Sequence, residues 1–264
     1  MKKSNKFFIV VVLILSLSFI ACGGGSDGDS IVPSGGFDGV ISGEVKKAIW
    51  SDDYSEVKQV AARVYDENFD EVWIAFANLT NGSFTLTLPS TVETMPISSI
   101  YGWADGNVKI SNESARVNEI SRFECFSSLD EINESNYEDY YIGYLDYIKV
   151  NTSNSSFYSY VAFTYSDSDV VITGSETDYD DFWDEEERYN YNISLEEGWN
   201  KVFFTGKATN YGMSFSVSTK HVSGLGWYYL DDDWKSFPNL TKNTQVSEKN
   251  LDVRKIRNKF RGLK

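Results

Sequence analysis

The sequence predicts an all-β protein with two antiparallel β-sandwich-like domains, a signal peptide and flexible tether before them, and a short amphipathic helix at the C-terminus. Aromatic residues make up 16% of the chain, and in most of it aromatic and β-branched residues alternate with polar ones. Clusters of Asn, Asp, Gly and Ser separate these runs at intervals of about ten to fifteen residues. The predicted segments are a signal peptide (1–21), a tether (22–36), an N-terminal β-sandwich (37–118), a C-terminal β domain (119–240) and a basic tail (241–264).

The first 21 residues have the layout of an export signal. Lys2, Lys3 and Lys6 precede an apolar run from residue 7 to residue 20. This run is shorter than the roughly 20 apolar residues that a membrane-spanning helix needs. The sequence therefore predicts a cleaved signal peptide rather than a permanent membrane span.

The end of the signal, Ser18-Phe19-Ile20-Ala21-Cys22, resembles the lipobox of bacterial lipoproteins. The resemblance implies that Cys22 is acylated and anchors the protein to a membrane of the cell envelope. Asp27 and Asp29 follow in a Gly- and Ser-rich stretch that predicts a flexible tether. Their acidic side chains resemble the surface-display signals of some Gram-negative lipoproteins, which implies the outer membrane and its outer surface.

Charge and cysteine content exclude several kinds of function. The net charge is −15, so nucleic acid is not a predicted partner. Once Cys22 is acylated, Cys125 is the remaining thiol, so the mature chain has no internal disulfide and no multi-thiolate metal site. Cys125 is predicted to be a buried small hydrophobe, and the single histidine, His221, a surface residue. No cofactor is predicted.

Residues 40–89 predict four strands and a tight turn. Asn81-Gly82 stands between the predicted strands 71–77 and 83–88, and Asn-Gly between apolar runs predicts a hairpin. The segments Ile41-Ser42-Gly43-Glu44-Val45 and Asn81-Gly82-Ser83-Phe84-Thr85-Leu86-Thr87-Leu88-Pro89 resemble the transthyretin-like, or carboxypeptidase-regulatory-like, β-sandwich. The resemblance implies an accessory module in this half rather than a catalytic one.

Three segments of the C-terminal half resemble uncharacterised lipoproteins of the Gram-negative envelope, for which the resemblance implies no particular activity. These segments are Asp167-Ser168-Asp169-Val170-Val171-Ile172-Thr173-Gly174, Leu195-Glu196-Glu197-Gly198-Trp199-Asn200-Lys201-Val202 and Gly224-Leu225-Gly226-Trp227-Tyr228-Tyr229. In the second segment, Gly198 is predicted to form a tight turn and Trp199 to cover the core.

Tyrosines are concentrated in two predicted strands near the middle of the chain. Tyr140, Tyr144, Tyr158 and Tyr160 are the members predicted to form an exposed binding face. Exposed tyrosines combine a flat apolar ring with a polar tip and suit recognition of sugars or proteins. The alternative is that tyrosine is simply a residue that strands favour.

The densest acidic run is residues 178–187, with seven acids among ten residues in the order Asp-Tyr-Asp-Asp-Phe-Trp-Asp-Glu-Glu-Glu. Clustered carboxylates can coordinate calcium, but the run lacks the alternating acidic pattern of a recognised calcium loop. We predict a solvated hairpin loop, and the sequence leaves cation binding open.

The tail has apolar residues at helical spacing, including Ile256 and Phe260, and basic residues between them, including Arg257 and Arg261. This pattern predicts a short cationic amphipathic helix. Three destinations fit the pattern: an anionic membrane surface, a partner protein, and the acidic body of the same chain.

The function that needs least special chemistry is noncatalytic. The sequence predicts a membrane-anchored envelope protein that serves in binding or adhesion, with a glycan or an envelope protein as its partner. The alternative is a glycan hydrolase that uses two carboxylates of the C-terminal domain. A cleft with two close acids would favour the hydrolase, and an aromatic sheet face would favour binding.

Overall fold

The computed structural model describes residues 35–47, 53–100, 107–150, 157–180, 185–209 and 212–230. These residues belong to one compact unit. The secondary structure is almost entirely β, which confirms the predicted fold class. Within these ranges, neither of the two helices is long and apolar enough to cross a membrane.

The described chain contains fifteen strands and two helices of a single turn. The strands are β1 Val40–Glu44, β2 Gln59–Tyr65, β3 Glu71–Asn78, β4 Ser83–Thr87, β5 Met95–Pro96, β6 Val108–Ile110, β7 Arg116–Glu119, β8 Arg122–Phe126, β9 Tyr141–Val150, β10 Phe157–Ser166, β11 Val170–Asp180, β12 Glu185–Leu195, β13 Gly198–Thr209, β14 Gly212–Ser218 and β15 Gly226–Leu230. The helices are α1 Ile97–Ile100 and α2 Tyr137–Tyr140.

Thirteen strands form one continuous sheet, and β1 and β4 form a separate pair. Along its main path the large sheet has the order β3-β2-β8-β9-β10-β13-β14-β12-β11-β6, while β15 joins β9, β7 joins β10 and β5 joins β7. Neighbouring strands of the sheet are antiparallel, as predicted, except that β12 and β14 are parallel. In β4, buried and exposed residues alternate because one face of the strand lies toward a core.

We call the place where β9 and β7 both pair with one edge of β10 the corner of the sheet. One edge of β10 pairs with β9 at residues 158–160 and with β7 at residues 164–166. Between these contacts β9 and β7 diverge, and the amide of Ile120 donates to the carbonyl of Phe163. The corner divides the sheet into a first half (β3, β2, β8, β9, β15) and a second half (β10, β13, β14, β12, β11, β6, with β7 and β5 beside β10).

The first core lies between the inner face of the first half, the β1–β4 pair and one face of β10 and β13. Trp227 is near its centre and is only 3% exposed. Its ring meets Phe84 and Phe123 edge to face at 5.2 and 5.1 Å, and it stacks on Tyr147 at 4.9 Å. Each such pair contributes about 0.5–1.5 kcal/mol beyond its buried area.

The second core lies on the opposite face of β10 and β13 and is completed by β11, β12, β14 and α1. Successive residues of β13 show the division, because Phe203 belongs to the first core and Phe204 to the second. Both faces of β10 and β13 are therefore buried, and consecutive apolar residues such as Val202, Phe203 and Phe204 serve both faces.

The turn at Asn81-Gly82 forms as predicted, but the hairpin does not. Asn81 and Gly82 have φ of 52° and 79°, and Thr80 bridges Ser83 across the turn. Beyond that bridge the strands separate, so that β3 pairs with β2 and β4 pairs with β1. The hairpin prediction is wrong because β4 belongs to the layer on the other side of the first core.

The fold begins earlier in the chain than the predicted tether boundary at residue 36. Gly35 is buried, its amide donates to the carbonyl of Ser194, and its carbonyl accepts from the amide of Lys201. The large sheet also takes strands from both sides of the predicted boundary between residues 118 and 119, since β2 pairs with β8 and β7 with β10. That boundary does not coincide with a break in the hydrogen bonding of the sheet.

Gly43 tests the packing of the first core. A Cβ atom at this position would lie 2.1 Å from Cδ1 and 2.3 Å from Nε1 of Trp227. We expect Gly43→Ala to lower the free energy of unfolding by about 1–3 kcal/mol, because the indole must shift in a packed core. Urea denaturation measures the change. Ser42→Ala, on the exposed face of the same strand, is the control and is expected to change it by less than about 0.5 kcal/mol. Equal losses in both variants would contradict this packing.

Candidate functional site

The outer face of the first half of the sheet carries a cluster of aromatic residues around one buried carboxylate. Glu124 of β8 lies opposite Ala61 of β2 and Tyr144 of β9, and Ala61 lies opposite Phe76 of β3. Residues paired in this way share a face of the sheet. We call this surface the aromatic face; its rings are those of Trp73, Phe76, Phe126, Tyr137, Tyr140 and Tyr141.

The Glu124 carboxylate is fully buried, and both of its oxygens accept hydrogen bonds. Arg63 donates from Nη1 to Oε1 at 2.7 Å, and the Tyr137 hydroxyl donates to the same oxygen at 3.1 Å. The Trp73 indole donates from Nε1 to Oε2 at 2.8 Å. A buried carboxylate requires partners of this kind because burial removes its hydration.

Arg63 completes the charge balance beneath the face. Burial by itself lowers the pKa of this guanidinium, but the hydrogen bond to Glu124 and the charges of Glu124 and Glu71 outweigh that effect and raise it. Arg63 also lies 5.2 Å from the ring centre of Trp73 and 5.5 Å from that of Tyr137. The guanidinium therefore holds both rings as well as the carboxylate.

The rings form a connected group that is partly open to solvent. Tyr137 stacks on Tyr141 at 5.1 Å, and Trp73 contacts Tyr137 at 5.7 Å and Phe76 at 6.1 Å. Phe76 is 43% exposed, while Trp73, Tyr137 and Tyr141 are half-buried. Phe126 is fully buried beneath them. The face therefore presents ring surface on a rigid base.

The segment 127–140 brings Tyr137 over the sheet. Its chain is fixed at the return to β9 by a hydrogen bond from the Ser127 amide to the Tyr140 carbonyl, and Ile132 is buried against the sheet. Asn136 closes the turn by donating its side chain to the Glu131 carbonyl. Because the segment is packed and bonded, Tyr137 reaches Glu124 without an extended mobile arm.

Chemically, the aromatic face is suited to binding rather than to acid–base work. Glu124 is buried and accepts three hydrogen bonds, so it positions Trp73 and Tyr137 rather than meeting a ligand. Arg122 is half-buried at the margin, where Nη1 donates to the Tyr141 hydroxyl at 3.4 Å. Rings with fixed orientation beside a guanidinium can stack on an apolar surface and bond to polar groups.

The four predicted tyrosines do not together form an exposed face. Tyr140 and Tyr144 lie on the aromatic face, but Tyr144 is 4% exposed and has Arg122 over its ring at 5.4 Å. Tyr160 is half-buried in the second half of the sheet, where it stacks on Phe204 at 4.6 Å. The side chain of Tyr158 lies outside the described residues.

The sequence interpretation missed Trp73, Phe76, Arg63 and Glu124. Arg122 and Glu124 alternate with Phe123 and Cys125, a pattern typical of charged residues on a solvent face. The face is instead covered by segment 127–140, which has no apolar periodicity to signal it. Trp73 and Phe76 are three residues apart, which would put them on opposite faces of a regular strand. The β-bulge in the β2–β3 pairing between Ala62 and Arg63 brings both rings to one face, and the sequence does not signal it.

A small cavity lies at the corner of the sheet, between β9, β10 and the chain that leads out of β7. Its volume is about 20 Å³, enough for about one water molecule. Glu119, Asp146, Tyr147 and Tyr160 contribute to its lining. Two acids therefore lie near a cavity, but the cavity is far too small for a sugar ring.

A second pair of acids lies on the face of β11 and β12 that carries the second core. The Tyr189 hydroxyl donates to Glu187 at 2.7 Å, and the Tyr191 hydroxyl donates to Glu176. Both carboxylates are 8% exposed. Because Glu176 is opposite Tyr189 in the strand register, Glu176 and Glu187 are diagonal neighbours, with Cα atoms about 7–8 Å apart.

The acidic run 178–187 is not a loop throughout. Residues 178–180 and 185–187 extend β11 and β12 and pair with each other, and Glu187 is buried. The prediction of a solvated loop is wrong for these positions, because β11 and β12 continue beyond the apolar residues from which the strands were predicted. Residues 181–184 lie outside the described residues. Among the residues that are described, no three His, Cys, Asp or Glu side chains come together to hold a metal ion.

Two other predictions are confirmed. Cys125 is fully buried in the first core, and burial raises the pKa of its thiol well above the usual value, with the charge of Glu124 adding to the effect. His221 is exposed, with its ring edge-on to Phe203 at 5.5 Å. The predicted lipidation site Cys22 and the tail residues Ile256, Arg257, Phe260 and Arg261 lie outside the described residues.

The hydroxyl of Tyr137 makes the aromatic face sensitive to alkaline pH. Burial, and then the charge of Glu124, raise its pKa, so the hydroxyl stays protonated in the folded state where an unfolded tyrosine would ionise. A group whose pKa is higher in the folded state stabilises the fold below its unfolded pKa and loses that effect as pH rises. We therefore expect the free energy of unfolding to fall above about pH 10, and to fall less in Tyr137→Phe.

Urea denaturation at about pH 8 and about pH 11 checks this expectation. Tyr54→Phe is the matched control, since Tyr54 is half-buried against Lys47 rather than against a carboxylate. This control is expected to lose as much free energy of unfolding at alkaline pH as the unmodified chain. If Tyr137→Phe lost stability with pH as steeply as the unmodified chain, the contact with Glu124 would not be the cause.

Comparisons with known proteins give no further guide to the site. No protein-family model, no curated protein and no solved structure matches the chain.

Proposed function

We propose that this chain is a lipid-anchored protein of the cell envelope whose folded body binds a glycan or an envelope protein, without catalysis, through the aromatic face. The observation that carries the proposal is the exposure of Phe76, whose ring is 43% exposed on this face and contacts Trp73. Trp73 and Tyr137 are in turn fixed by hydrogen bonds to the buried Glu124 carboxylate. Fixed rings lose little conformational entropy on binding.

The anchor in this proposal rests on the sequence. The signal and the lipobox-like peptide at Cys22 support export and acylation, and residues 22–34 lie between that cysteine and the first described residue. A Gly- and Ser-rich linker of this length has an end-to-end distance of about 20 Å. Such a linker would hold the body close to the membrane but free to turn toward a partner.

A glycan is the first partner to test. A sugar ring has an apolar face that packs on aromatic rings, while its hydroxyls need polar partners at the margin. Trp73, Tyr137 and Tyr141 supply rings, and Arg122 supplies a guanidinium beside them. A flat protein epitope would use the same rings with more of the surrounding surface.

We expect Phe76→Ser to weaken binding to a glycan identified on an array by at least about tenfold, because an exposed central ring contributes as a binding hot spot. Val171→Ser is the control, since Val171 is 36% exposed on β11 in the second half of the sheet. Both variants are expected to keep the urea midpoint of the unmodified chain. Full binding by Phe76→Ser would place the site elsewhere.

The alternative function, a glycan hydrolase, is favoured by one observation. Glu176 and Glu187 are two buried carboxylates that are diagonal neighbours in the strand register, although both accept hydrogen bonds from buried tyrosines. Turnover of an array hit, abolished by Glu187→Gln and by Glu176→Gln with the fold intact, would favour the hydrolase. Binding without turnover would favour the first proposal.

The anchor has a test of its own. We expect metabolic labelling with a fatty-acid analogue to mark the protein, and Cys22→Ala to abolish the label and release the protein from the membrane fraction, because acyl chains bury about 0.8 kcal/mol per methylene. Cys125→Ala, at the other cysteine, is the control and is expected to stay labelled. An unlabelled protein would overturn the anchor.

A further inference from the structure

The free edge of β3 is an exposed apolar surface. β3 ends the strand order of the large sheet, so among the described strands its second edge has no partner. Apolar side chains are exposed on both sides of this edge: Val72, opposite Val64 on the side of the first core, is 39% exposed, and Phe76, opposite Ala61 on the aromatic face, is 43% exposed. Phe69, in the preceding turn, is 63% exposed. Phe69 also has a φ of 65°, a conformation that bulky residues rarely adopt. Proteins usually cover such edges with a helix or a loop.

Four acids lie within three residues of Phe69 in the sequence. They are Asp66, Glu67, Asp70 and Glu71. The Asp66 carboxylate accepts hydrogen bonds from the amides of Asn68 and Asp70, the latter the larger effect, and these lower its pKa. Glu71 is 3.4 Å from Arg63, which balances part of its charge, while Glu67 and Asp70 are exposed. The surface is therefore apolar and negative; we call these acids with Phe69, Val72 and Phe76 the β3 patch.

The chain contains one segment of matching chemistry outside the described residues. Residues 253–264 read Val-Arg-Lys-Ile-Arg-Asn-Lys-Phe-Arg-Gly-Leu-Lys, which combines six basic residues with four large apolar ones and includes no acid. The apolar residues fit the exposed rings, and the basic residues fit the acids of the β3 patch.

The chain is long enough for this segment to reach the patch. β15 ends at Leu230, which shares a row across the sheet with Phe76, four strand spacings away. The row is Leu230, Tyr144, Glu124, Ala61 and Phe76. Four spacings amount to about 19 Å. Residues 231–252 can span up to about 70 Å, so they reach this distance easily.

We propose that the basic segment 253–264 docks on the β3 patch of its own chain. A segment on a linker of this length has an effective concentration in the millimolar range at the patch, which favours the same chain over a second copy. Docking covers the apolar edge and pairs the basic side chains with Glu67 and Asp70. The proposal needs no glycan for its test.

Zero-length carbodiimide cross-linking of residues 22–264 carrying Cys22→Ser tests the docking, because it joins lysine amines to carboxylates that are in contact. We expect links from Lys255 or Lys259 to Glu67, Asp70 or Glu71 within monomers. Reversing the patch charges with Glu67→Lys and Asp70→Lys should reduce links to Glu71 at least about fivefold, since the attraction is electrostatic. Adding Arg257→Glu and Arg261→Glu to that variant should restore them.

Glu196→Lys with Glu197→Lys is the matched control, with the same charge change at two exposed acids between β12 and β13. This control is expected to keep the links, and all variants should keep the urea midpoint. Links spread evenly over the acids of the body, or unchanged by reversal of the patch, would overturn the proposal.

Two further measurements test whether the basic segment binds something other than its own chain. Links between ¹⁵N-labelled and unlabelled chains in a mixture would assign the segment to a second copy and overturn docking within the chain. Loss of the links on adding phosphatidylglycerol vesicles, with vesicle binding abolished by Arg257→Glu and Arg261→Glu, would assign it to a lipid surface and overturn the proposal in the same way.

Discussion

The ion pair between Arg63 and Glu124 is the interaction on which the aromatic face depends. It joins β2 to β8, and through the remaining hydrogen bonds of the carboxylate it also fixes Trp73 of β3 and Tyr137 of α2. A buried ion pair is often no more stabilising than apolar residues of the same size, because both charges lose their hydration. Its contribution here is orientation: an apolar residue at position 124 would fill the space but would leave the indole N–H and the tyrosine hydroxyl without that acceptor.

A second constraint is the double burial of β10 and β13. These strands separate the two cores, so each must carry apolar residues on both faces, as Phe203 and Phe204 do. The corner between β9 and β10 follows from this arrangement, because β9 continues the first half while β10 also borders the second. The divergence of β9 and β7 at that corner leaves the small cavity lined by Glu119 and Asp146.

The strands were predictable from the sequence, but their partners were not. The strand pattern identified β1, β2, β3, β4 and most later strands to within a few residues, because many of them have one face toward a core. The pairing of β4 with β1, and the parallel pairing of β12 with β14, depend on contacts between distant parts of the chain. A local pattern such as Asn81-Gly82 specifies a turn, and only the packing of the first core decides which strands continue beyond it.

The same limit applies to the candidate site. The burial of Cys125 and the cover of Trp199 over the core follow from local pattern, and the structure confirms both. The burial of Glu124 does not, because it requires segment 127–140 to return over the sheet, and that segment has no periodicity of its own. Tyr144 was predicted to be exposed because its position in the strand faces outward. In the structure Arg122 lies over its ring, and the local sequence pattern does not indicate this cover.

Phe76 belongs both to the aromatic face and to the β3 patch, and this overlap connects the two proposals. A docked basic segment and a bound glycan would compete for the same ring, so the apparent affinity for the glycan would fall by the fraction of molecules in which the ring is free. An anionic surface that attracts the basic residues would release the ring, because the two destinations of the segment exclude each other. Near a membrane, where the proposed anchor holds the body, the basic residues of segment 253–264 would bind the anionic surface instead of the β3 patch. Phe76 would then be exposed for ligand binding.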